Sequence, residues 1–391
     1  MKRSIVPCAG CGLCESVFPD RVVMAEDPEG FLRPMVTAPV DRAMLERMCP
    51  LRSSNAEYAP TMWGRCESVL VGSAADATVR RRGSSGGVTT AVLLYLLESG
   101  RVDAVVQVGA DLDDPLKNRV YVNASAEEVL RCAGSRYAPS APLVGLPALL
   151  GDGRRYAFVG KPCDVRALRN YLAAREDLRS EVPFTLSFFC AGVPSYRATE
   201  RVVEALGLRP AEVSEFTYRG NGWPGPTTAR SVGGEVRTMS YDESWGGILG
   251  QYVQSCCRWC ADGVGEFADI ASGDAWFLTP GGVPDFAERD GRNVVLVRSA
   301  AASAVIEEMR AQGLLALSDF GADTASLRAM QPYQFTRRGT MLGKVVGLRI
   351  TGAWAPKYRP QTLLAWARQA GWRANLRSLV GTVVRRLRGR L

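Results

Sequence analysis

Short apolar runs and amphipathic segments alternate along the middle of the chain. Residues 103–109 and 293–298 are almost entirely apolar, as is typical of strands that are buried on both faces of a sheet. Segments with helical spacing lie next to them, at residues 88–100 and 301–312. This alternation predicts an α/β (α+β) body in which a mixed sheet carries flanking helices.

Cysteine-rich and basic stretches at the two ends divide the chain further. The cysteines near the N-terminus predict a small ferredoxin-like 4Fe-4S domain at residues 1–60. The body follows in two parts, at residues 61–150 and 151–325, and a basic helical tail occupies residues 326–391. A chain of 391 residues, of which 47% are hydrophobic, is long enough for two or three domains.

The sequence contains no histidine, which excludes Ser-His-Asp and Cys-His catalysis and histidine-ligated zinc. Metal chemistry then depends on thiolates and carboxylates, and the chain has eleven cysteines. No run of 18 apolar residues predicts a membrane span, and the N-terminus lacks the apolar region of a signal peptide. We therefore expect a cytoplasmic protein whose cysteines are reduced or bound to metal.

Positive charge is concentrated at the C-terminal end. Residues 337–391 contain 13 Lys or Arg and no Asp or Glu, which leaves 35 bases against 40 acids elsewhere. Two interpretations of this tail stay open: a helix docked on the body with a solvated basic face, or peripheral contact with an anionic membrane or an acidic protein. Nucleic acid is not an expected partner, because no recognised binding module precedes the tail. The tail also carries an apolar stripe at helical spacing, formed by Leu376, Leu379, Val380, Val383, Val384 and Leu387.

Four cysteines near the N-terminus have the spacing of an iron–sulfur site. Cys8, Cys11 and Cys14 form a C-x-x-C-x-x-C run, whose pitch lets the backbone turn around one cuboidal cluster. Cys49 precedes a proline, as the distal ligand of bacterial ferredoxins does. The pattern predicts one 4Fe-4S cluster on these four cysteines, and a zinc site with four cysteine ligands is the alternative.

A second C-x-x-C pair, Cys257 and Cys260, is directly preceded by Cys256. Two further cysteines, Cys163 and Cys190, each follow an apolar predicted strand, and α/β folds bind ligands at such strand ends. We expect Cys163, Cys190, Cys257 and Cys260 to hold a second 4Fe-4S cluster. Cys257 is preferred over Cys256 because it gives the C-x-x-C spacing, and half of a zinc finger is the alternative for the pair.

Two polar loops of the body are candidate cofactor sites. Gly83-Ser84-Ser85-Gly86-Gly87 opens a predicted helix, where free N–H groups, hydroxyls and the helix dipole favour a phosphate. Gly134-Ser135-Arg136-Tyr137 supplies a cation for phosphates and an aromatic ring that can stack on a flavin. The first loop is either a flavin phosphate site or an ordinary capped helix, and the second is either a flavin contact or a surface loop.

With these motifs the chain resembles the beta subunits of coenzyme F420-reducing hydrogenases and related dehydrogenases over about residues 1–320. Besides the first cysteine motif and the two loops, the resemblance rests on Gly160-Lys161-Pro162-Cys163-Asp164, Phe189-Cys190-Ala191-Gly192-Val193-Pro194-Ser195, and the Cys257/Cys260 motif through Gly273-Asp274. It implies that residues 83–87 and 134–137 hold FAD and that Cys163, Cys190, Cys257 and Cys260 hold the inner cluster. Lys161 would lie near the flavin and stabilise negative charge on the reduced ring.

The resemblance implies an oxidoreductase with FAD and two 4Fe-4S clusters. Our hypothesis is that a ferredoxin-like donor or a partner redox subunit exchanges electrons, through the clusters and FAD, with a small molecule such as deazaflavin F420, in either direction. Without histidine, the proton donor is Lys161, Tyr137, Tyr241, Asp242 or water. Two alternatives stay open: a non-catalytic electron-transfer subunit of a larger complex, and a zinc-stapled binding protein without redox function.

Overall fold

The computed structural model describes residues 7–53, 57–321 and 324–389. The iron–sulfur domain predicted at residues 1–60 and the tail predicted at 326–391 therefore fall partly outside the described residues.

Strands and helices alternate through the body, and helices alone follow its last strand. The strands are β1 Val22–Glu26, β2 Leu32–Val36, β3 Ser68–Ala74, β4 Ala104–Ala110, β5 Asn118–Asn123, β6 Tyr156–Gly160, β7 Phe184–Phe188, β8 Val213–Thr217, β9 Thr227–Ser231, β10 Val236–Met239, β11 Ile270–Asp274, β12 Phe277–Leu278, β13 Pro284–Asp285, β14 Asn293–Val297 and β15 Leu315–Asp319. The α-helices are α1 Leu13–Val17, α2 Arg42–Met48, α3 Ala77–Arg82, α4 Val88–Glu98, α5 Ala126–Arg131, α6 Leu146–Leu149, α7 Pro162–Ala174, α8 Tyr196–Ala205, α9 Ala300–Ala311, α10 Thr324–Met330, α11 Pro332–Gly339, α12 Met341–Ile350, α13 Pro360–Ala370 and α14 Trp372–Leu387. A π-helical turn at Asp242–Ile248 and 3₁₀ turns at Leu249–Tyr252 and Ser255–Trp259 lead into the second C-x-x-C pair.

An eight-stranded mixed sheet forms the centre of the body, in the order β15-β3-β14-β11-β7-β6-β4-β5. Strands β4, β6, β7 and β11 run parallel, and antiparallel strands complete the sheet on both sides. Helices α4 and α9 pack on one face, and α7, α12 and α13 pack on the other. The predicted mixed sheet with flanking helices is confirmed.

The sheet joins the two parts of the body that the sequence suggested. Strand β3 comes from residues 61–150, but it pairs with β14 and β15 of residues 151–325. The sequence analysis missed β15, because this edge strand buries only Leu315 and Leu317 and gives a weak apolar pattern. Both parts of the body therefore contribute strands to one central sheet, while β8–β10 and β12–β13 form two smaller sheets.

The described N-terminal segment consists of the antiparallel pair β1–β2 between α1 and α2. Helix α2 packs on α7, where Asn170 donates to the carbonyl of Met48 at 3.2 Å and Arg166 donates to that of Ser53 at 2.8 Å. These contacts place the N-terminal cysteines beside the start of α7.

Helices α11 to α13 close one face of the sheet. Trp366 is fully buried, and its indole N–H donates to the carbonyl of Ala59 at 3.0 Å. Arg338 is 1% exposed and donates to the carbonyl of Ala261 at 3.0 Å. The first part of the basic tail is therefore built into the core, where its arginines meet backbone carbonyls.

The last helix, α14, docks on α12 through its polar side. Its buried residues are Asn375 and Thr382. The Asn375 side chain accepts a hydrogen bond from the N–H of Gly343 at 3.1 Å, and a Cβ on Gly347 would lie 3.0 Å from Cβ of Thr382. Small residues on α12 thus allow a close approach that leaves the apolar side of α14 free.

Most of the apolar stripe predicted on this helix faces outward, whereas Leu379 and Val383 are half-buried. Leu376 is 63% exposed and Leu387 is 80% exposed. The helix is docked and its arginines at positions 373, 377 and 388 are exposed, as the first interpretation of the tail expects, but the polar side supplies the docking contacts and much of the apolar side is left in solvent. Among the described helices, none has the length and apolar character that crossing a membrane requires.

Candidate functional site

The carboxyl ends of the parallel strands bring several predicted site residues to one edge of the sheet. Strand β6 ends directly before Lys161 and Cys163, and the neighbouring strand β7 ends shortly before Cys190. Strand β11, next to β7, ends at Asp274 on the same edge. The edge therefore collects a cation, two thiols and a carboxylate.

Four thiols gather near the end of β7, those of Cys163, Cys190, Cys257 and Cys260, and we call them the inner set. Each interacts electrostatically with others of the set. Burial raises the pKa of Cys190 to about 12, and the thiols of Cys257 and Cys260 add to the effect. The backbone N–H groups of Gly192 and Val193 favour the thiolates of Cys190 and Cys257, and the Cys260 thiol donates to the carbonyl of Asp262 at 3.4 Å.

Cys256 and Cys257 are adjacent but have different partners. The buried Cys256 thiol donates to the carbonyl of Cys8 at 3.1 Å. The adjacent Cys256 side chain lowers the pKa of Cys257 to about 6 against the effect of burial, and the Arg337 guanidinium adds to the lowering. Cys257 is thus the member of the pair with the lower pKa, and its choice as a cluster ligand stays a prediction.

Helix α11 covers the inner set with a buried arginine. Arg337 is 5% exposed and donates to the carbonyls of Cys260 at 2.9 Å and Cys257 at 3.0 Å. It also donates to the carbonyl of Cys190. A full positive charge therefore lies beside three of the four inner cysteines. Sequence reasoning missed Arg337, because nothing distinguishes it from the other bases of the tail.

The N-terminal cysteines form an outer set, made of Cys8, Cys11, Cys14 and Cys49. Their thiols also interact electrostatically. Burial raises the pKa of Cys14 to about 12, with contributions from the thiols of Cys8 and Cys49. The N–H of Gly10 donates to Sγ of Cys8 at 3.3 Å, and its φ of 71° lies in the region that glycine favours. The four cysteines are thus grouped at one place.

The outer and inner sets adjoin each other. The Cys8 carbonyl, which accepts from Cys256 of the inner motif, also accepts from Arg33 at 2.7 Å. Asp164 at the start of α7 acts electrostatically on the Cys11 thiol as well as on its own neighbour Lys161. One network of contacts therefore reaches from the outer set to the inner one.

Among the described residues, no three His, Cys, Asp or Glu side chains are arranged to hold a single metal ion. A 4Fe-4S cluster makes a different demand, because its four thiolates bind separate iron atoms rather than one ion. The donor chemistry of both sets fits that demand. Each set offers four thiols, and backbone N–H groups are directed at sulfurs in both.

A cavity of about 650 Å³ lies at the same sheet edge, a size that is ordinary for a ligand site. Lys161, Cys190 and Cys257 form part of its wall. Gly86 is buried against Asn293 instead. The other residues predicted to bind flavin all line the cavity: Gly83, Ser84, Ser85, Gly87, Gly134, Ser135, Arg136 and Tyr137.

Hydrogen bonds join the two predicted loops. The Ser84 hydroxyl accepts from the N–H of Ser135 at 2.5 Å and donates to the carbonyl of Arg219 at 2.9 Å. Gly87 begins α4 at a φ of 73°, and a Cβ there would lie 2.8 Å from the carbonyl oxygen of Val79. The loops therefore form one wall of the cavity, with a glycine where the backbone turn requires it.

Arg136 holds its own loop in place. Its guanidinium donates to the Asn118 side chain at 2.8 Å and to three backbone carbonyls, those of Pro115, Lys117 and Phe216. Most of its N–H groups are thus used within the protein, and the expected contact with flavin phosphates stays a prediction. The Tyr137 ring lies 4.7 Å from that of Trp245, which also lines the cavity.

Lys161 is buried in the cavity wall and paired. Its Nζ lies 2.7 Å from Oδ2 of Asp164 and donates to the Ser140 hydroxyl at 3.0 Å. Burial opposes the charge, but Asp164 and the nearby thiol of Cys163 outweigh it and raise the pKa of Lys161. The side chain is therefore a cation at neutral pH, suited to attract negative charge and poorly suited to release a proton.

The cavity wall contains an ion pair that the sequence did not predict. Arg219 donates to both carboxylate oxygens of Asp274, at 2.6 and 2.9 Å. The indole N–H of Trp223 donates to the same carboxylate at 2.7 Å, and its ring stacks on Trp276 at 4.8 Å. Asp274 belonged to a quoted motif, but Arg219 lies 55 residues away in sequence, and only the fold brings them together.

Two family models match the chain. Both describe the coenzyme F420 hydrogenase/dehydrogenase beta subunit, its N-terminal part at residues 69–146 and its C-terminal part at residues 153–323. The matched residues include the two loops, Lys161 and the inner set. The outer set and Arg337 lie outside both matches.

Several known proteins are similar to this chain. The coenzyme F420 hydrogenase subunit beta of Methanococcus voltae is 28% identical, over 65% of this chain and 84% of its own length. A subunit of the F(420)H(2) dehydrogenase of Methanosarcina mazei is 24% identical, over 75% of this chain and 79% of its own length. The coenzyme F420-dependent sulfite reductase of Methanocaldococcus jannaschii is 26% identical over 68% of this chain, which spans 42% of that relative.

A solved structure shares the fold. A chain of the F420-reducing NiFe hydrogenase complex from Methanosarcina barkeri superimposes with a TM-score of 0.59 at 21% identity. The match covers 76% of this chain and 98% of the other.

Proposed function

The chain belongs to the family of coenzyme F420 hydrogenase/dehydrogenase beta subunits, and on that premise we propose that it is an iron–sulfur flavoprotein oxidoreductase. It would exchange electrons between a ferredoxin-like donor or partner redox subunit and a small organic two-electron acceptor, deazaflavin F420 or another molecule. The resemblance found in the sequence is thereby confirmed at the level of the family.

One observation carries the proposal. The predicted flavin loops, the cation Lys161 and two inner cysteines, Cys190 and Cys257, line the same cavity of about 650 Å³. Hydroxyl, cationic and aromatic groups in one pocket suit a phosphate-bearing aromatic cofactor. Thiols in the wall of that pocket suit an adjoining redox centre.

The residues of the chain would divide the work as follows. Cys8, Cys11, Cys14 and Cys49 would hold one 4Fe-4S cluster, and Cys163, Cys190, Cys257 and Cys260 would hold the other. When bound, such clusters carry single electrons, and FAD exchanges them for pairs with an organic molecule. Residues 83–87 and 134–137 would position FAD in the cavity. Lys161, held in place by Asp164, would favour negative charge next to it.

Anaerobic purification and chemical analysis test the proposal directly. We expect a brown protein with about eight iron atoms per chain, four for each cluster, and one FAD released on denaturation. Acid-labile sulfide should match the iron. A colourless protein that contains zinc and no flavin would contradict the proposal and support a zinc-stapled binding protein.

A second candidate is an electron-transfer subunit that performs no turnover alone. The similar proteins from Methanococcus voltae and Methanosarcina mazei are named as subunits, and the solved structure is of a complex. The isolated, cofactor-loaded chain should be supplied with reduced ferredoxin and F420. Turnover supports the enzyme, whereas cluster reduction without turnover supports the subunit.

A further inference from the structure

A band of apolar side chains runs along the exposed side of α14. Trp372, Leu376, Val380 and Val384 are 58%, 63%, 52% and 38% exposed, and Leu387 continues the band at 80%. Residues three or four apart lie on the same side of a helix, so the five side chains are contiguous. The helix has 16 residues and is therefore about 24 Å long. We call these five residues the α14 stripe.

The orientation of α14 is unusual for a surface helix. Such helices normally turn an apolar face to the core and a polar face to water. In α14 the polar residues Asn375 and Thr382 make the buried contacts with α12, and the stripe is left uncovered. A contiguous apolar surface of this kind is typical of a contact site.

Charge indicates what the stripe contacts. Exposed arginines at positions 373 and 377 of the helix, and at position 388 directly after it, lie beside the stripe. Residues 337–391 contain no acidic residue, whereas the rest of the chain has 35 bases against 40 acids. The charged residues of the helix are therefore all positive, whereas the remainder of the protein is mildly acidic.

We propose that the α14 stripe docks the protein on the surface of a bilayer that contains anionic lipid. Leucine, valine and tryptophan side chains would enter the boundary between head groups and acyl chains, while the flanking arginines meet lipid phosphates. Tryptophan is well suited to this boundary. Unmixed positive charge along the helix matches the uniform negative charge of such a surface better than the mixed charges of a protein partner.

The acidic remainder of the chain orients the binding. A surface of negative lipids repels faces with net negative charge and attracts the basic helix. The attraction between arginines and phosphates is screened by salt, so binding should weaken as the ionic strength rises. This inference does not depend on the cofactors of the proposed function.

Sedimentation of the full chain with vesicles tests the proposal. The wild type should pellet at low salt with vesicles of phosphatidylcholine and phosphatidylglycerol, and it should remain in solution with phosphatidylcholine alone. Replacing two stripe residues with glutamate, in L376E/V380E, should lower the bound fraction at limiting lipid at least about tenfold, because apolar burial is lost and repulsion is added. R373E/R377E should weaken binding to the anionic vesicles as well.

L112E/V232E is the matched control. Leu112 and Val232 are 69% and 77% exposed and lie outside α14, so the same change of charge there should leave binding within about twofold. All variants change exposed residues and should keep the thermal midpoint of the wild type. Wild-type protein that does not pellet at low salt would overturn the proposal, as would L376E/V380E that pellets equally well. A dimer that L376E/V380E dissociates, without vesicle binding, would instead assign the stripe to a second copy of the chain.

Discussion

The outer and inner cysteine sets are assembled in opposite ways. The outer set takes three thiols from seven consecutive residues, Cys8 to Cys14, and adds Cys49. The inner set collects its thiols from two strand ends and a 3₁₀ turn, between residues 163 and 260. Their surroundings differ too, because Arg52 acts on the outer set from a half-buried position, whereas Arg337 is buried against the inner set.

This difference separates what local spacing encodes from what the fold adds. Spacing alone can bring three thiols around one cluster, and the chain needs little else to form the outer set. The inner set exists only because the parallel strands β6 and β7 end side by side. Net charge and hydrogen bonds near a cluster set its reduction potential. The fold thus determines both the assembly and the electrostatics of the inner set.

The largest expected effect is the loss of one cluster. Cys257→Ser should reduce the bound iron to about half, because one of the two proposed four-iron sites would lose a ligand. Cys256→Ser should retain the iron, since the Cys256 thiol donates to the carbonyl of Cys8 and serine can donate to it as well. Iron and sulfide analysis of anaerobically purified variants checks both. Retained iron in Cys257→Ser with loss in Cys256→Ser would reverse the assignment.

Removing the buried cation should distinguish the two sets. Arg337→Gln leaves the carbonyls of Cys190, Cys257 and Cys260 without their charged donor, and we expect a loss of about 2–4 kcal/mol of stability. The inner cluster should also become harder to reduce, because a positive charge that stabilises its reduced form is gone.

A redox titration followed by electron paramagnetic resonance measures both potentials in one sample. Arg337→Gln should shift one signal to lower potential and leave the other near its wild-type value. Arg337→Lys, which keeps the charge, should show little of this shift and keep a potential near the wild-type value. Equal shifts of both signals in Arg337→Gln would show that the charge of Arg337 is not confined to the inner set.

Features of the fold and the site that neighbouring residues encode could be predicted from the sequence, and contacts between distant residues could not. The strand before Lys161 and the helix after Gly87 were predicted because apolar pattern and glycine placement are local features. The placing of Cys163 and Cys190 at one edge followed from general sheet topology. Arg337 and Arg219 could not be predicted, because their partners are distant in sequence and many other arginines look the same.

The docking of α14 also could not be predicted from local sequence. Four of the six residues of its predicted apolar stripe are exposed, although the apolar side of a surface helix normally packs on the core. The contacts that decide the orientation come from the glycines of α12, Gly343 and Gly347, which admit the polar side of α14. The sequence pattern of one helix does not tell which surface the neighbouring helix presents to it.

A smaller effect should appear in the pH dependence of stability. Lys344 donates to the carbonyl of Arg337, and burial together with the Arg337 guanidinium lowers the pKa of Lys344 to about 7. Between about pH 7 and the ordinary lysine pKa of about 10.5, the unfolded chain binds more protons than the folded one, so stability rises with pH.

Lys344→Met removes this contribution. The thermal midpoint of the cofactor-loaded wild type should rise between pH 7 and pH 9 more steeply than that of the variant. Parallel curves for the two proteins would mean that Lys344 keeps an ordinary pKa beside the inner set. A change near the outer set, such as Arg52→Gln, serves as a comparison. It should leave the rise of the thermal midpoint between pH 7 and pH 9 as it is in the wild type.

The smallest expected effect is that of Arg52→Gln. Burial raises the pKa of Cys49, and the N–H groups of Leu51 and Arg52 oppose it together with the Arg52 charge. The variant loses only the charge, since glutamine keeps the backbone N–H, and water screens a half-buried side chain more than a buried one. We therefore expect the outer cluster to shift to lower potential, but by less than Arg337→Gln shifts the inner one, with the inner signal unchanged. If the two variants gave shifts of equal size in the same titration, burial of the cation would not explain how the two sets differ in reduction potential. That difference would then have to come from their hydrogen bonds.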